Sequence, residues 1–231
     1  KSNVGIIIGY DSRKSSPEIC SSIIKGIKKA NVRYPVQVLD FVTTPQLHAY
    51  FSPLQTTYLS HLKMLSKKIT FPCILDCANG IGAKVMKQFA CRNIYLTNTS
   101  WTEHEKLNVD CSSDFVCSNE KLPTTPVFLK DMPYLRASLD GDADRIVFYF
   151  TDHKRLNILN GDYIAALILT YLSKVVQDTD ELQIAYVYTG YTNDACVDYI
   201  KSLSFPKKTQ VSHFCTATGV KHLHNKACKY D

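Results

Sequence analysis

Long apolar runs are missing from this 231-residue chain. No stretch approaches the ~20 consecutive apolar residues of a membrane span, and Lys1 opens no signal-peptide pattern, so no membrane partner is expected. An excess of charge is missing too. Lys and Arg total 27 against 21 Asp and Glu, a formal +6, and the basic residues are scattered rather than striped. That distribution argues against nucleic acid as a partner. The nine cysteines form no doubled C-x-x-C pattern of the kind that holds zinc, and their number is odd and their spacing irregular. Free thiols in a reducing cytoplasm are the expectation. What is present is an ordinary globular composition, 45% hydrophobic and 21% charged, which excludes wholesale disorder, collagen and coiled coil. The length suffices for one or two apolar cores. Composition leaves the oligomeric state open, and the lack of an initiator Met suggests a start further upstream.

Hydrophobic periodicity gives a series of α/β units. Gly5-Ile6-Ile7-Ile8 reads as a short strand. Ser15, Ser16 and Pro17 open a helix with Ile19, Ile23 and Ile27 on one face to Ala30, and Val36 to Phe41 returns as a strand. A strand–helix–strand unit of this kind belongs to a parallel or mixed sheet covered by helices. Residues from Ser52 to Phe71 are poorly patterned. A second unit begins with Cys73-Ile74-Leu75-Asp76, turns at Asn79-Gly80 and continues as a helix with Val85, Met86 and Phe89. The polar stretch from Thr97 to Pro133 exceeds the ~12 to 15 residues usual for a structureless connection, so short elements are expected inside it. Strand character resumes at Ala137-Ser138-Leu139 and at Ile146 to Phe150. A third unit follows, with Asp162 as helix cap, Ile164, Leu167, Ile168, Tyr171, Leu172 and Val175 at helical spacing, strands at Ile184–Tyr188 and Val211–Phe214, and a helix carrying Cys196, Tyr199, Ile200 and Leu203 between them. A last helix starts at Gly219 and is expected to be still running at Asp231, as a truncated element would be.

The segment richest in chemistry is Asp140-Gly141-Asp142-Ala143-Asp144-Arg145, three carboxylates at alternate positions between two strands. A tight loop could turn all three onto a hard divalent cation, and without one their mutual repulsion is costly. A solvated acidic turn is the plainer alternative. An EF-hand is excluded because Arg145 and Thr151 stand where Gly and Glu are needed. An aspartyl-phosphatase loop with Asp140 as nucleophile and Asp142 as acid stays a runner-up, weakened because Asp144 holds the place of its Thr. Arg145 beside a cation site would suit a sugar phosphate. Gly9 to Ser16, at a strand end and helix start, could meet an anion or merely cap the helix. Asp76 to Ala83 lacks the third glycine of a dinucleotide fingerprint, Val85 standing there, so its glycines read as a tight strand-to-helix turn. Thr216 to His224 fits a phosphate or sugar contact through Lys221. His222 and His224 are two apart and so face apart on a helix, and the adjacent Ser212 and His213 point to opposite faces of a strand.

In this order the stretches GYDSRKSS, TTPQLHAY, LDCANGIGA, ASLDGDADRIVFYF, NGDYIAALI and TATGVKHLHNKA resemble the α-D-phosphohexomutase superfamily, and TTPQLH and TGVKHLH point to its acetylglucosamine branch. The resemblance implies an α/β fold of tandem related units with mixed sheets covered by helices. Residues 1–60 would be the later part of domain 1, 70–152 domain 2 with the metal-binding loop, and 153–231 the start of domain 3. It implies interconversion of N-acetylglucosamine 6-phosphate and 1-phosphate for UDP-N-acetylglucosamine synthesis, with an amino-sugar phosphate as substrate and a phosphoserine as phosphoryl donor. Mg²⁺ would be held by Asp140, Asp142 and Asp144, Arg145 would act on the phosphoryl group, and Arg13 and Lys221 would contact substrate. The family's Thr-Ala-Ser-His-Asn phosphoserine loop would precede Gly5, and its Glu-x-Asn-Gly-His and Arg-Pro-Ser-Gly-Thr loops would follow Asp231. An internal fragment with little activity of its own is therefore expected, with a non-catalytic Mg²⁺ or sugar-phosphate binder as the alternative. The region between Tyr50 and Phe71 looks shortened. Where the family has Cys-Gly-Ala-Asp, this chain has Cys111-Ser112-Ser113-Asp114.

Overall fold

Helices and strands alternate through a computed structural model that describes residues 5–50, 70–89, 92–124, 126, 129, 134–177 and 181–229. Most of the poorly patterned stretch between Ser52 and Phe71 lies outside them. The chain divides into two compact units, Lys1–Ile158 and Leu159–Asp231.

In the first unit, strand β1 (Ile6–Tyr10) pairs in parallel with β2 (Val36–Phe41) through helix α1 (Ser16–Lys29). Pro17 sits in the first turn of α1, where its missing N–H costs nothing. The face that α1 buries differs from the one its isoleucine spacing indicates. Cys20 is buried, Ile24 and Ile27 are half-buried, and Ile19 and Ile23 are exposed. The packed stripe is thus rotated by about one residue. Helix α2 (Thr44–Tyr50) follows β2 directly. Its start is a capping box: Gln46 N–H donates to Thr43 Oγ1 at 3.2 Å, and the Gln46 side chain accepts from Thr43 N–H at 3.0 Å.

Five strands build the second sheet. Strand β3 (Cys73–Asp76) leads to α3 (Gly82–Met86) and a 3₁₀ turn at Lys87–Phe89, then β4 (Ile94–Thr97). The long polar stretch does contain short elements, a 3₁₀ turn at His104–Lys106 and helix α4 (Ser113–Asn119). Strands β5 (Leu135–Leu139), β6 (Ile146–Asp152) and β7 (Arg155–Leu159) complete a sheet of order β4-β3-β5-β6-β7. Strand β3 runs parallel to β4 and β5, whereas β5 and β6 are antiparallel, so the sheet is mixed. Both faces are covered. Cys73, Leu75, Cys77, Ala83 and Ala137 pack with Met86, Trp101 and Phe148, while Val116, Val147 and Tyr149 pack with Leu156 and Ile158. That is why all four residues of β3 are buried and carry no alternation. Strand β7 has no clear periodic signal and is fixed by its turn: His153 and Lys154, at φ 44° and 65°, form the two-residue connection that matches strand twist.

In the second unit, α5 (Gly161–Val175), β8 (Gln183–Thr189), α6 (Asp194–Ser202), β9 (Gln210–Thr216) and α7 (Val220–Ala227) form another parallel strand pair with helices. Three expectations are corrected here. Asn160, not Asp162, caps α5; its Oδ1 accepts from Asp162 and Tyr163 N–H, and Asp162 lies inside the first turn, accepting from Asn193 N–H at 3.1 Å. Leu169 is the buried residue of α5, whereas Leu167, Ile168, Tyr171 and Val175 are exposed, because this helix is apolar almost all round and periodicity alone cannot choose its face. Helix α7 closes at Ala227 rather than running on to Asp231: Cys228 N–H bonds His224 O at 2.9 Å as its C-cap. Among the described residues all eight cysteines are free, and no helix is long and apolar enough to cross a membrane.

Candidate metal centre

The loop from Asp140 to Arg145 links antiparallel β5 and β6 and folds tightly on itself. Asp140 N–H bonds Arg145 O at 3.3 Å, Ala143 N–H bonds Asp140 O at 3.2 Å, and Ala143 has φ 59°. Small residues at 141 and 143 allow this. The turn draws Asp140, Asp142 and Asp144 together until one carboxylate oxygen of each lies within 4.8 Å of the others. Asp140 is the buried member and the best held. Its Oδ1 accepts from Asp144 and Arg145 N–H, each at 3.1 Å, and its Oδ2 accepts from Arg145 Nε at 2.9 Å.

Electrostatics separate the carboxyls. Burial pushes Asp140 up, but the hydrogen bonds from Asp144 and Arg145, together with the guanidinium charge, outweigh it and hold the carboxyl below its usual range. Burial, the hydrogen-bonded contact with Asp140 and the charges of Asp140 and Asp142 push Asp144 up to about 6. Such crowding is what a hard divalent cation relieves, and an all-oxygen donor set is the kind Mg²⁺ takes. The residues present therefore fit the ion.

Three features around the loop are not evident from the motif. The first is Asp114, in the first turn of α4, whose Oδ1 and Oδ2 accept from Arg145 Nη1 and Nη2, the latter at 2.8 Å, as a bidentate pair. Arg145 is thus spread between Asp140 and Asp114 and points in a fixed direction. The second is the close approach of two glycines: a Cβ on Gly80 would lie 2.3 Å from Gly141 O. Ile81 N–H meets that same carbonyl at 3.1 Å. The Asn79-Gly80 turn is therefore the seat of the acidic loop. The third is Asp76, 1% exposed, which accepts four hydrogen bonds: from Ala78 N–H and Asn98 Nδ2 at 2.9 Å each, and from Ser112 N–H and Ser138 Oγ at 2.8 Å each. The Asp76–Ala83 segment thus ties β3 to the surrounding segments and seats the acidic loop.

Ser112 stands where the resemblance to Cys-Gly-Ala-Asp puts a glycine. It has φ 99° and ψ 164°, a region glycine tolerates and serine does not. Its hydroxyl caps α4 by accepting from Phe115 N–H at 3.3 Å. Ser112→Gly gives up a cap worth only a few tenths of a kcal/mol over glycine, while relieving strain on the order of 1–3 kcal/mol. It is expected to raise the melting temperature by roughly 2–4 °C per kcal/mol gained, read by calorimetry.

Arg13, the other residue expected near substrate in the first unit, is held by Asp11, with Nη1–Oδ2 at 2.6 Å, and Ser16 donates to the same carboxylate at 2.7 Å. Both line a cleft of about 270 Å³ whose wall includes Thr43, Thr44 and Asp142. The structure thus brings Arg13, Arg145 and the three carboxylates into one region of the first unit. Lys221 is exposed in the first turn of α7 in the second unit.

A mixed α/β chain with this acidic loop defines a class, and comparison with known proteins bears on it. Residues 1–59 match the family model for phosphoglucomutase/phosphomannomutase, alpha/beta/alpha domain I. Residues 160–231 match that for phosphoacetylglucosamine mutase AMG1, domain III. The chain belongs to the α-D-phosphohexomutase superfamily. Within it, the chain is similar to phosphoacetylglucosamine mutase 2 of Schizosaccharomyces pombe, 32% identical with 100% of this chain and 46% of the relative aligned. It is likewise 32% identical to the Homo sapiens phosphoacetylglucosamine mutase, with 98% of this chain and 45% of that one covered. A solved N-acetylglucosamine-phosphate mutase in its substrate complex superposes with a TM-score of 0.77 at 29% identity, covering 97% of this chain and 45% of that one. An Aspergillus fumigatus N-acetylphosphoglucosamine mutase, solved with GlcNAc-6P and magnesium, shares the fold at TM-score 0.73 and 24% identity, with 99% and 50% covered. The chain spans about half the length of the curated relatives it matches.

Proposed function

We propose that these residues form the cation-holding part of an N-acetylglucosamine-phosphate mutase, a cytoplasmic isomerase that moves a phosphoryl group between the 6- and 1-positions of the amino sugar through a phosphoserine. The observation that carries this reading is the convergence of three carboxylates beside a doubly anchored arginine. Asp140, Asp142 and Asp144 would hold Mg²⁺, which when bound neutralises charge on a phosphoryl group in transfer. Arg145, kept in direction by Asp114 and Asp140, would bring its fixed positive charge, and the N–H groups those two carboxylates leave unused, to phosphoryl oxygens. Arg13 on the cleft rim and Lys221 on α7 would contact the sugar phosphate. In this reading residues 1–60, 70–152 and 153–231 are parts of domains 1, 2 and 3.

The donor serine is not among these residues, so the test uses the natural gene product. ³¹P NMR of that protein with N-acetylglucosamine 6-phosphate and Mg²⁺ is expected to show the 1-phosphate resonance growing in, and Asp142→Ala to abolish it. Cation binding without turnover would instead favour the non-catalytic descendant. Turnover untouched by Asp142→Ala would refute the role given to the loop.

A further inference from the structure

Asp142 is the carboxylate of the three with the least support from its own loop: among the bonds described there, Asp140 takes the backbone N–H groups and the guanidinium. Its support comes from a residue 98 positions earlier in sequence. Thr44 Oγ1 donates to Asp142 Oδ2 at 2.7 Å, and Thr44 N–H donates to Asp142 O at 3.2 Å. These two bonds fix both the backbone and the carboxylate of Asp142 against the start of α2. Thr44 is itself held, since the capping box of Thr43 and Gln46 sets the first turn of that helix. Two further bonds carry the first sheet against the second, Lys84 Nζ to Phe41 O at 3.2 Å and His104 Nδ1 to Ser12 O. Neither of them touches the acidic loop.

We infer that Thr44 is a positioning residue for the cation site: its hydroxyl sets the orientation of the Asp142 carboxylate and so the geometry in which a divalent ion is held. The inference rests on the cation reading of the loop and adds to it the residue that aims one ligand. The chemistry is direct. A carboxylate offers about four lone-pair sites, so one hydrogen bond at Oδ2 leaves the others for a cation. A free Asp142 would turn its charge away from Asp140 and Asp144; the Thr44 hydroxyl holds it in place before the ion arrives. Outer hydrogen bonds of this kind are worth 10- to 100-fold in metal affinity.

The test is Mn²⁺ binding to the purified chain, followed by electron paramagnetic resonance of the free ion. Thr44→Val keeps the branched shape and removes the donor, and is expected to weaken binding about 10-fold. Thr44→Ser keeps the donor and should bind like wild type. In an Asp142→Asn background, Thr44→Val should cause no further loss, which separates aiming of Asp142 from any general effect on the fold. Equal affinity for wild type and Thr44→Val, or a Thr44→Ser as weak as Thr44→Val, overturns the inference while leaving the cation site standing. Absence of Mn²⁺ binding by wild type overturns the cation reading, and the inference with it.

Discussion

Asp76→Ala is expected to cost about 3–5 kcal/mol of stability, because it leaves two buried backbone donors unsatisfied at ~1–3 kcal/mol each and removes two further hydrogen bonds. Ala78 N–H, Asn98 Nδ2, Ser112 N–H and Ser138 Oγ all donate to this one carboxylate. Truncation leaves them without it in a place water does not reach. Two have a second partner, since Asn98 Nδ2 also donates to Thr124 O and Ser138 Oγ also meets Tyr149 OH. The two backbone N–H groups carry most of the loss, at ~1–3 kcal/mol for each unsatisfied donor. Asp76→Asn should cost less than alanine, because the amide oxygen still accepts, yet its NH₂ must face a donor on the other side. Urea unfolding followed by the fluorescence of Trp101, the chain's one tryptophan and packed against the same core, reads both variants. The order predicted is wild type, then Asn, then Ala. A loss under about 1 kcal/mol for alanine, the worth of a single ordinary hydrogen bond, would show that the carboxylate does not tie these segments together.

At the acidic loop, the second large effect has two opposed signs. Asp142→Ala and Asp144→Ala should each weaken Mg²⁺ binding by at least about 100-fold, since each removes a charged ligand and not merely its support. Calorimetric titration with MgCl₂ measures this. The cation-free chain should respond the other way. Asp144 is pushed up to about 6 by burial and by the charges of Asp140 and Asp142, so its ionised form is disfavoured in the folded state near neutral pH. Asp144→Asn is therefore expected to raise the melting temperature at pH 7.5 in chelator and to lower it relative to wild type in saturating Mg²⁺. The stability gained by neutralising Asp144 is fully present below its unfolded value and is lost as pH rises through about 6, so the difference between the two proteins in chelator should shrink as pH falls below 6. A variant that melts lower than wild type in both conditions would show that these carboxylates are structural.

Strands were legible wherever short apolar runs met turn residues. Cys73-Ile74-Leu75-Asp76 is a strand buried on both faces, and the Ile146 run is β6. The acidic loop was legible as well, because spacing and small residues declare it. Helix faces were not. In α1 two of the three striped isoleucines, Ile19 and Ile23, are on the open side, and in α5 apolar residues surround the axis, so contacts across the fold decide what a periodic pattern leaves undecided. Nor were the partners of the site. Asp114, 31 residues from Arg145, and Thr44, 98 from Asp142, reach the loop through folding alone. Both stand in stretches that the resemblance picks out, TTPQLHAY and Cys111-Ser112-Ser113-Asp114, yet nothing local assigns either a bond to the loop. Asp76 reads as the end of a strand, and only the structure makes it the acceptor for four donors. Ser112 carried a trace in the glycine that the family has at its place, the residue that a φ of 99° favours.

If Asp140, Asp142 and Asp144 form one divalent-cation site, counting bound ions tests it most directly. Electron paramagnetic resonance of Mn²⁺ titrated into the purified chain should show one bound ion per molecule, displaced by excess Mg²⁺ and lost in the Asp140→Asn/Asp142→Asn double variant, whose circular dichroism stays that of wild type. No saturable binding, or binding that survives the double substitution, would contradict the account.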